Sequence, residues 1–402
     1  MKSVERFREA AGQRHCAWLG TPVRGAGTSL MASEPVLVFR ARGKEAQLIS
    51  ADRHECRCGN PFDLLGELLS KHTGLTAIGY FGYDLKNFVE KLPHNANDDV
   101  GLPDCWFGFY DKVELVGADC VRPPLETEKG ARSAPLQSNF TREAYRQVVR
   151  RAKEYIAAGD IYQVNLSQRF QCEVDDLAPD VYLALCAANP APYAAYLDIG
   201  DAQILSSSPE CFLHINGREV VTRPIKGTLP SHRDPQDLVR SAKDNAELVM
   251  ITDLERNDLG RVCEFGSVHV PELVRVESYA TVHHLVSTVK GTLRDGVSHV
   301  ECLRACFPGG SITGAPKIRA MEIIDELEPH ARGVYCGAIG FFAPDGVSQF
   351  NIAIRTAVQQ GRRLTFHAGG GIVADSDPDA EYEETLAKAQ GIINAIHQLR
   401  VR

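Results

Sequence analysis

Tyr162-Gln163-Val164-Asn165-Leu166-Ser167, inside the run Ile161-Tyr162-Gln163-Val164-Asn165-Leu166-Ser167-Gln168-Arg169-Phe170, alternates apolar and polar residues without a break. Period-two alternation makes this a strand, with Gln163, Asn165 and Ser167 on one face and Tyr162, Val164 and Leu166 on the other. A strand with one wholly polar face either faces water or lines a polar cavity. Just before it, residues 139–158 place Tyr145, Val148, Val149, Ala152 and Ile156 on one helical stripe, and Gly159 suits its end. Residues 349–357 repeat the strand pattern, with Asn351, Ala353 and Arg355 on one face and Ile352 and Ile354 on the other. Helices and strands mix without regular βαβ alternation, which points to an α+β fold rather than a doubly wound parallel sheet.

Working outward, residues 36–39 and 78–83 read as short strands. Residues 122–137 are rich in proline and charge and poor in large apolar side chains, which suits an exposed connection. The expected organisation is therefore an N-terminal half over 1–121, a connection over 122–138 and a larger catalytic region over 139–402.

The 402 residues suffice for a large core or two fused halves. Hydrophobic content of 44% and charged content of 24% are ordinary for a soluble globular chain. No run reaches the roughly 18 to 20 apolar residues that span a bilayer. The first residues, Met1-Lys2-Ser3-Val4-Glu5-Arg6-Phe7, lack the apolar core of a secretion signal, so a cytoplasmic location is expected and no membrane partner. The net charge of −8 argues against nucleic acid as a partner. An anionic small molecule stays compatible with that charge, given a local basic cluster or a metal. The 12 cysteines are scattered, with no paired CxxC spacing for zinc, and read as reduced thiols. Cys302 and Cys306 share a helix face among core residues.

Several constellations fit chemistry. Lys226 lies among apolar and small residues in Thr222-Arg223-Pro224-Ile225-Lys226-Gly227-Thr228. Desolvation there favours the neutral, nucleophilic amine, although a lone lysine in such a place is also an ordinary structural residue. Asp244 and Glu247, and Glu381 and Glu384, form two i, i+3 acidic pairs on helices. Such pairs commonly mark solvated faces. Were the two faces to converge, their repulsion would call for a hard divalent cation. Asp377-Pro378 supplies the second helix with a cap and a proline at its first position. The Gly309-Gly310-Ser311-Ile312-Thr313-Gly314-Ala315-Pro316-Lys317 stretch opens a helix and suits an anion or a simple turn. Gly369-Gly370-Gly371 follows a strand and permits close backbone approach. Glu210 sits just past a strand beside Phe212, where half-burial suits an acid or base. Strand alternation allows only one of His283 and His284 to point inward.

Taken together, Ile161-Tyr162-Gln163-Val164-Asn165, Ser208-Pro209-Glu210, Pro224-Ile225-Lys226-Gly227-Thr228, Asp253-Leu254-Glu255-Arg256-Asn257-Asp258-Leu259-Gly260-Arg261, Gly314-Ala315-Pro316-Lys317 and the final glycine-rich strand and acidic helix resemble the chorismate-utilising enzymes. The match runs in order from about residue 140 to the C-terminus, and Gly79-Tyr80-Phe81-Gly82-Tyr83-Asp84 extends it into the N-terminal half. The resemblance implies a large two-halved α/β sandwich with substrate between the halves. It also implies a magnesium-dependent exchange on chorismate. Lys226 is the residue of the branch that aminates C4, where the anthranilate-forming branch carries alanine; Gln163 is that of ammonia-using branches, where water-using ones carry lysine.

The implied roles follow by position. Glu247 and Glu384 would hold Mg2+, with Asp244 and Glu381 in support. Lys226 would attack ring carbon C2, Glu210 and His284 would handle protons, and Gln163 would serve ammonia. Gly227, Thr228, Thr313, Tyr335, Arg355, Gly369, Gly370, Gly371 and Lys388 would bind the substrate. The product would be 4-amino-4-deoxychorismate, for p-aminobenzoate and folate synthesis. The chain carries no Cys-His-Glu glutaminase pattern, so the expected ammonia source is a separate glutamine amidotransferase subunit. The region that binds tryptophan in relatives is expected to be short or altered.

Overall fold

The computed structural model describes residues 2–20, 28–117, 136–279 and 282–399. Two antiparallel sheets face each other, one of 10 strands and one of 12 among the described residues. The first runs, in spatial order, Gly314–Ala315, Gln163–Glu173, Arg363–Ile372, Thr356–Gln360, Gln203–Ser208, Tyr193–Asp198, Ala17–Leu19, Thr28–Ala32 and Glu114–Gly117, with Gln137–Ser138 beside Gln163–Glu173. The second runs Ile225–Pro230, Val282–Thr292, Glu219–Arg223, Cys211–Asn216, Val347–Ile352, Ala338–Phe342, Thr76–Phe81, Cys105–Tyr110, Leu37–Arg42, Glu45–Ile49 and His54–Cys58, with His269–Ser278 also on Val282–Thr292. This is the α+β sandwich expected. The N-terminal strands extend both sheets, so the two parts of the chain share one core.

That core has three layers. Ala17, Ala195, Leu197 and Ile204 of the first sheet meet Val38, Ile78, Tyr80, Trp106 and Ile339 of the second. Outside the first sheet, Lys2–Ala11, Ala178–Ala188 and Pro378–Leu399 close a second cluster around Phe7, Trp18, Tyr182 and Ile396. Outside the second, Pro61–Lys71, His299–Cys306 and Lys317–Leu327 cover Phe81, Phe107 and Phe350. Burying a side chain of this size contributes about 1.5–3 kcal/mol, so the many apolar pairs between layers dominate the fold.

The Arg142–Ala157 helix starts at Thr141, whose hydroxyl accepts from the Ala144 N–H. Its stripe is buried as the periodicity requires: Tyr145, Val149 and Ala152 fully, Val148 and Ile156 in part. Cys302 and Cys306 are buried, and the cysteines of the described residues are free thiols. Of the expected connection, residues 122–135 lie outside the described residues; Gln137 and Ser138 form a short exposed strand.

Two readings change. Residues 349–357 are not one strand. Val347–Ile352 belongs to the second sheet and Thr356–Gln360 to the first, because the chain crosses between them with Arg355 at φ 50°. The three glycines lie within the Arg363–Ile372 strand instead of after it. Opposite them stands the polar face of Gln163–Glu173, paired Asn165 to Gly371, Leu166 to Gly370 and Ser167 to Gly369. That face is buried: Gln163, Asn165 and Ser167 are all inside.

Candidate active site

Two sheet crossovers lie side by side. Ser208 ends a strand of the first sheet and Cys211 begins one of the second, with Pro209-Glu210 between. The return crossing passes Arg355. The Ile352 N–H donates to the Glu210 carbonyl, and the Ser207 N–H to the Arg355 carbonyl, both at 3.1 Å. Each crossing removes a side chain from sheet alternation and turns it into the gap where the sheets part.

Lys226 reaches this gap through a bulge. Lys226 stands opposite Leu285 and Thr228 opposite His284, leaving Gly227 as the extra residue at φ 66°. A bulge re-aims its neighbours, and a positive φ favours glycine. Space demands it too: a Cβ at 227 would come 3.0 Å from Asp244 Cγ. The Lys226 ammonium donates to the Ser311 carbonyl at 3.3 Å. Burial pushes its pKa below the ordinary lysine value; Glu247, Glu210 and Glu384 pull the other way and Lys388 adds to the lowering. Those four partners place the groups singled out in sequence within one electrostatic neighbourhood.

Glu210 is 5% exposed. Burial raises its carboxyl to about 7, against the opposing influence of Ser311, Lys226 and the Ile225 backbone. His284 is 2% exposed, and burial together with Arg355 pushes its imidazole down to about 4. Its Nδ1 lies 3.3 Å from the Gly227 carbonyl and 3.1 Å from the Thr228 hydroxyl. A carbonyl only accepts, so Nδ1 carries the proton, and the neutral ring holds a lone pair on Nε2. That Nε2 is buried without a partner. His284 is thus an acceptor at neutral pH, and Glu210 is the better proton donor. His283 is also buried, held by Ser278 at 2.8 Å, so both histidines are inside and alternation does not separate them by burial.

Gln163 is fully buried, and neither its amide oxygen nor its nitrogen has a hydrogen-bond partner. A buried amide costs free energy unless a partner arrives. A Cβ at 371 would stand 2.4 Å from Gln163 Nε2. Gly371→Ala is therefore expected to displace the amide and lower ammonia-dependent turnover by roughly 10-fold or more, with the thermal midpoint moving by only a few degrees; steady-state rates against ammonium concentration check this.

Carboxylates of the two acidic helices lie within electrostatic range of each other and of Lys226. Ser241 caps Ala242–Gly260, and Asp377 caps Pro378–Leu399 by accepting from Asp379 and Ala380 N–H at 3.1 and 2.9 Å. Glu247 is raised by burial first, with Asp244 and Glu384 adding to it. Glu381 is raised by burial, with Glu384 adding. In Glu384 burial is outweighed by Lys388, Lys243 and Lys226, and the carboxyl is lowered. Lys388 pairs with Glu384 at 2.7 Å and donates to the Gly369 carbonyl at 3.0 Å. Gly370 lies beneath both Glu381 and Glu384, which a Cβ there would meet at 3.3 and 3.4 Å.

The four carboxylates are not equivalent. Glu381 accepts from Ser376 at 2.6 Å through one oxygen, while the other is buried without a partner. Asp244 packs against Gly227. No three His, Cys, Asp or Glu side chains among the described residues stand where they alone could hold a metal. Mg2+ takes few protein oxygens and keeps waters and substrate oxygens as its remaining ligands, and the unpartnered Glu381 oxygen is of a kind that such an ion would satisfy.

Not every expected contact is free to bind. The Thr313 hydroxyl donates to the Gly309 carbonyl at 3.0 Å, so this residue shapes its own turn. Tyr335 is buried and stacked on His367, with ring centroids 5.0 Å apart. Arg355 is half-buried, its pKa lowered by burial, and has no carboxylate partner among the described residues. It is free to take an anion.

Sequence reading missed the scaffold behind the polar strand. Arg332 and Glu328 form a fully buried ion pair at 2.7 Å. Glu328 accepts from the Ser167 N–H at 2.7 Å, and Arg332 donates to the Asn165 and Ile312 carbonyls at 2.7 and 3.0 Å. Removing one member of such a pair costs on the order of 3–5 kcal/mol, so the pair fixes both the strand and the turn of residues 309–313. Ser311 and Lys243 were missed as well. No local pattern marks a serine carbonyl as a lysine's acceptor.

A family model described as chorismate binding enzyme matches residues 14–394. The chain belongs to this family. Aminodeoxychorismate synthase component 1 of Escherichia coli (strain K12) is 41% identical, covering 92% of this chain and 90% of that one. Anthranilate synthase component 1 of Thermus thermophilus is 43% identical over 79% of this chain and 77% of that one. Among solved structures, anthranilate synthase component I from Streptococcus pneumoniae superposes with a TM-score of 0.80 at 32% identity, covering 92% of each chain. No helix among the described residues is long and apolar enough to cross a membrane.

Proposed function

We propose that this chain is the chorismate-converting component of an aminodeoxychorismate synthase. The observation that carries the reading is Lys226, set beside a glycine bulge and within electrostatic range of Glu210, Glu247, Glu384 and Lys388. Relatives of both amine-forming kinds are similar to the chain, so overall identity does not choose between them. Lys226 supports the aminodeoxychorismate reading, because a lysine amine in that place can act as the first nucleophile at ring carbon C2.

The chemistry is a pair of allylic displacements. The Lys226 lone pair forms a bond to C2, both conjugated ring double bonds shift (C1=C2 to C1=C6 and C5=C6 to C4=C5), and the C4 hydroxyl leaves as water with a proton from Glu210. Ammonia then bonds to C4, both double bonds shift back, the C2–N bond to Lys226 breaks, and the proton that the new C4 ammonium sheds restores the one Glu210 gave up. The net change is loss of water and gain of ammonia at C4. The buried Gln163 amide suits ammonia, and the His284 lone pair suits the substrate hydroxyl. Arg355, with its planar fork, and Lys388 suit the carboxylates. Glu247 and Glu384 are the residues that would hold Mg2+, which would neutralise the ring carboxylate. Ammonia is expected from a glutamine amidotransferase partner, and the product fits p-aminobenzoate and folate synthesis.

The pH dependence follows from Glu210. As the proton donor it must be protonated, so kcat is expected to fall as pH rises through about 7. His284 contributes no limb near neutrality, since its ring is already neutral well above 4. Glu210→Gln should remove the limb and lower kcat by about 10²–10⁴-fold; a limb that persists in the variant would assign it to another group.

The reading is tested by incubating the chain with chorismate, Mg2+ and ammonium and identifying the product by mass. An amino adduct that retains the enolpyruvyl group, and yields p-aminobenzoate only with an added lyase, supports it. Anthranilate and pyruvate from the chain alone would move it to the other branch.

A further inference from the structure

Glu255 occupies the middle of the Ala242–Gly260 helix, is 3% exposed, and has no role in the chemistry above. One of its oxygens accepts the Gly310 N–H at 3.0 Å; the other is buried without a partner. A carboxyl in such a place costs free energy that an apolar side chain would not. The next residue along the turn is Ser311, whose carbonyl accepts the Lys226 ammonium at 3.3 Å. The route from helix to nucleophile is therefore Glu255 carboxyl, Gly310 N–H, Ser311 carbonyl, Lys226 Nζ.

We propose that Glu255 is a positioning residue for the nucleophile, holding the Gly310-Ser311 turn so that the Ser311 carbonyl fixes Lys226 in place. The inference rests on Lys226 being the reactive amine. The surroundings disfavour the charged form of Glu255. Burial and Asp258 on its own helix raise its pKa, and Glu210 on the crossover adds to that; Lys317, from the Lys317–Leu327 helix, opposes them with the Gly310 N–H. Lys317 is itself taken up by Asp258 and by the Cys306 carbonyl. Lys317 is thus engaged away from Glu255, whose role is to accept the Gly310 N–H. The fit is tight: a Cβ on Gly310 would stand 2.6 Å from Leu254 Cδ2 and 3.1 Å from Glu255 Oε1.

Three variants test this: Glu255→Gln, Glu255→Leu and Gly310→Ala. The rate at which an amine-acylating reagent labels Lys226, read by peptide mass spectrometry, reports on the lysine without requiring turnover. The second readout is kcat against KM for chorismate with ammonium. Glu255→Leu and Gly310→Ala are expected to change the Lys226 labelling rate by roughly five- to tenfold, the size of one lost hydrogen bond. They should lower kcat by at least that factor, with KM within about twofold. Glu255→Gln keeps an acceptor and should stay within about twofold of the parent in both. Unchanged labelling in Glu255→Leu, or a Gln variant as impaired as the Leu variant, would overturn the proposal. Should Glu255→Leu not fold by thermal melting, unchanged labelling in Gly310→Ala overturns it equally. If the parent chain forms no aminated product at all, the functional reading fails, while the labelling arm still decides the positioning role.

Discussion

Lys226→Ala is expected to lower formation of 4-amino-4-deoxychorismate by on the order of 10³-fold or more, equivalent to about 4 kcal/mol of lost transition-state stabilisation. The loss should fall on kcat, because the groups suited to gripping the substrate, Arg355 and Lys388, are untouched. Any residual turnover is expected as anthranilate, since ammonia without a covalent relay attacks C2 directly. The variant should fold: Lys226 lies on an edge strand, and its side chain donates to a backbone carbonyl, that of Ser311. Product analysis by chromatography and mass spectrometry reads both parts. Kinetics equal to the parent's would remove the covalent route.

Glu384→Gln is expected to raise the Mg2+ concentration needed for half-maximal rate by about 10–100-fold and to lower turnover with it. The amide keeps the shape but gives up the charge opposite Glu247. Calorimetric titration of Mg2+ into the chorismate-free protein gives a reading independent of catalysis, and binding as tight as in the parent would mean that another group holds the ion. One structural consequence should accompany the change. Lys388, now paired with Glu384, loses its carboxylate partner and keeps only the Gly369 carbonyl.

Much of this was legible in the chain. Alternation in Ile161–Phe170 announced a strand with a polar face, and the helical stripe before it was packed as its spacing required. The cap at Asp377 followed from residue type. The acidic pairs were visible, but whether they faced water or each other depended on two helices, Ala242–Gly260 and Pro378–Leu399, lying far apart in sequence.

What was not legible shares one cause. Residues 349–357 keep strand periodicity through a crossing between sheets, since the bend at Arg355 is set by what the two sheets require and not by a local glycine or proline. Glu328 and Arg332 look like an ordinary pair four residues apart. Only the buried strand opposite makes them a scaffold. Proton roles were equally hidden: a histidine beside Gly227 becomes an acceptor because a backbone carbonyl claims its Nδ1–H, a fact of register between strands.

The most direct measurement is the mass of the protein itself. The purified chain would be mixed with chorismate and Mg2+ in the absence of ammonia, quenched rapidly, digested and mapped. The account predicts a modification on the Lys226 peptide with the mass of chorismate less one water, discharged on adding ammonium with release of the amino product. Turnover with ammonium while the Lys226 peptide stays unmodified at every quench time would contradict it.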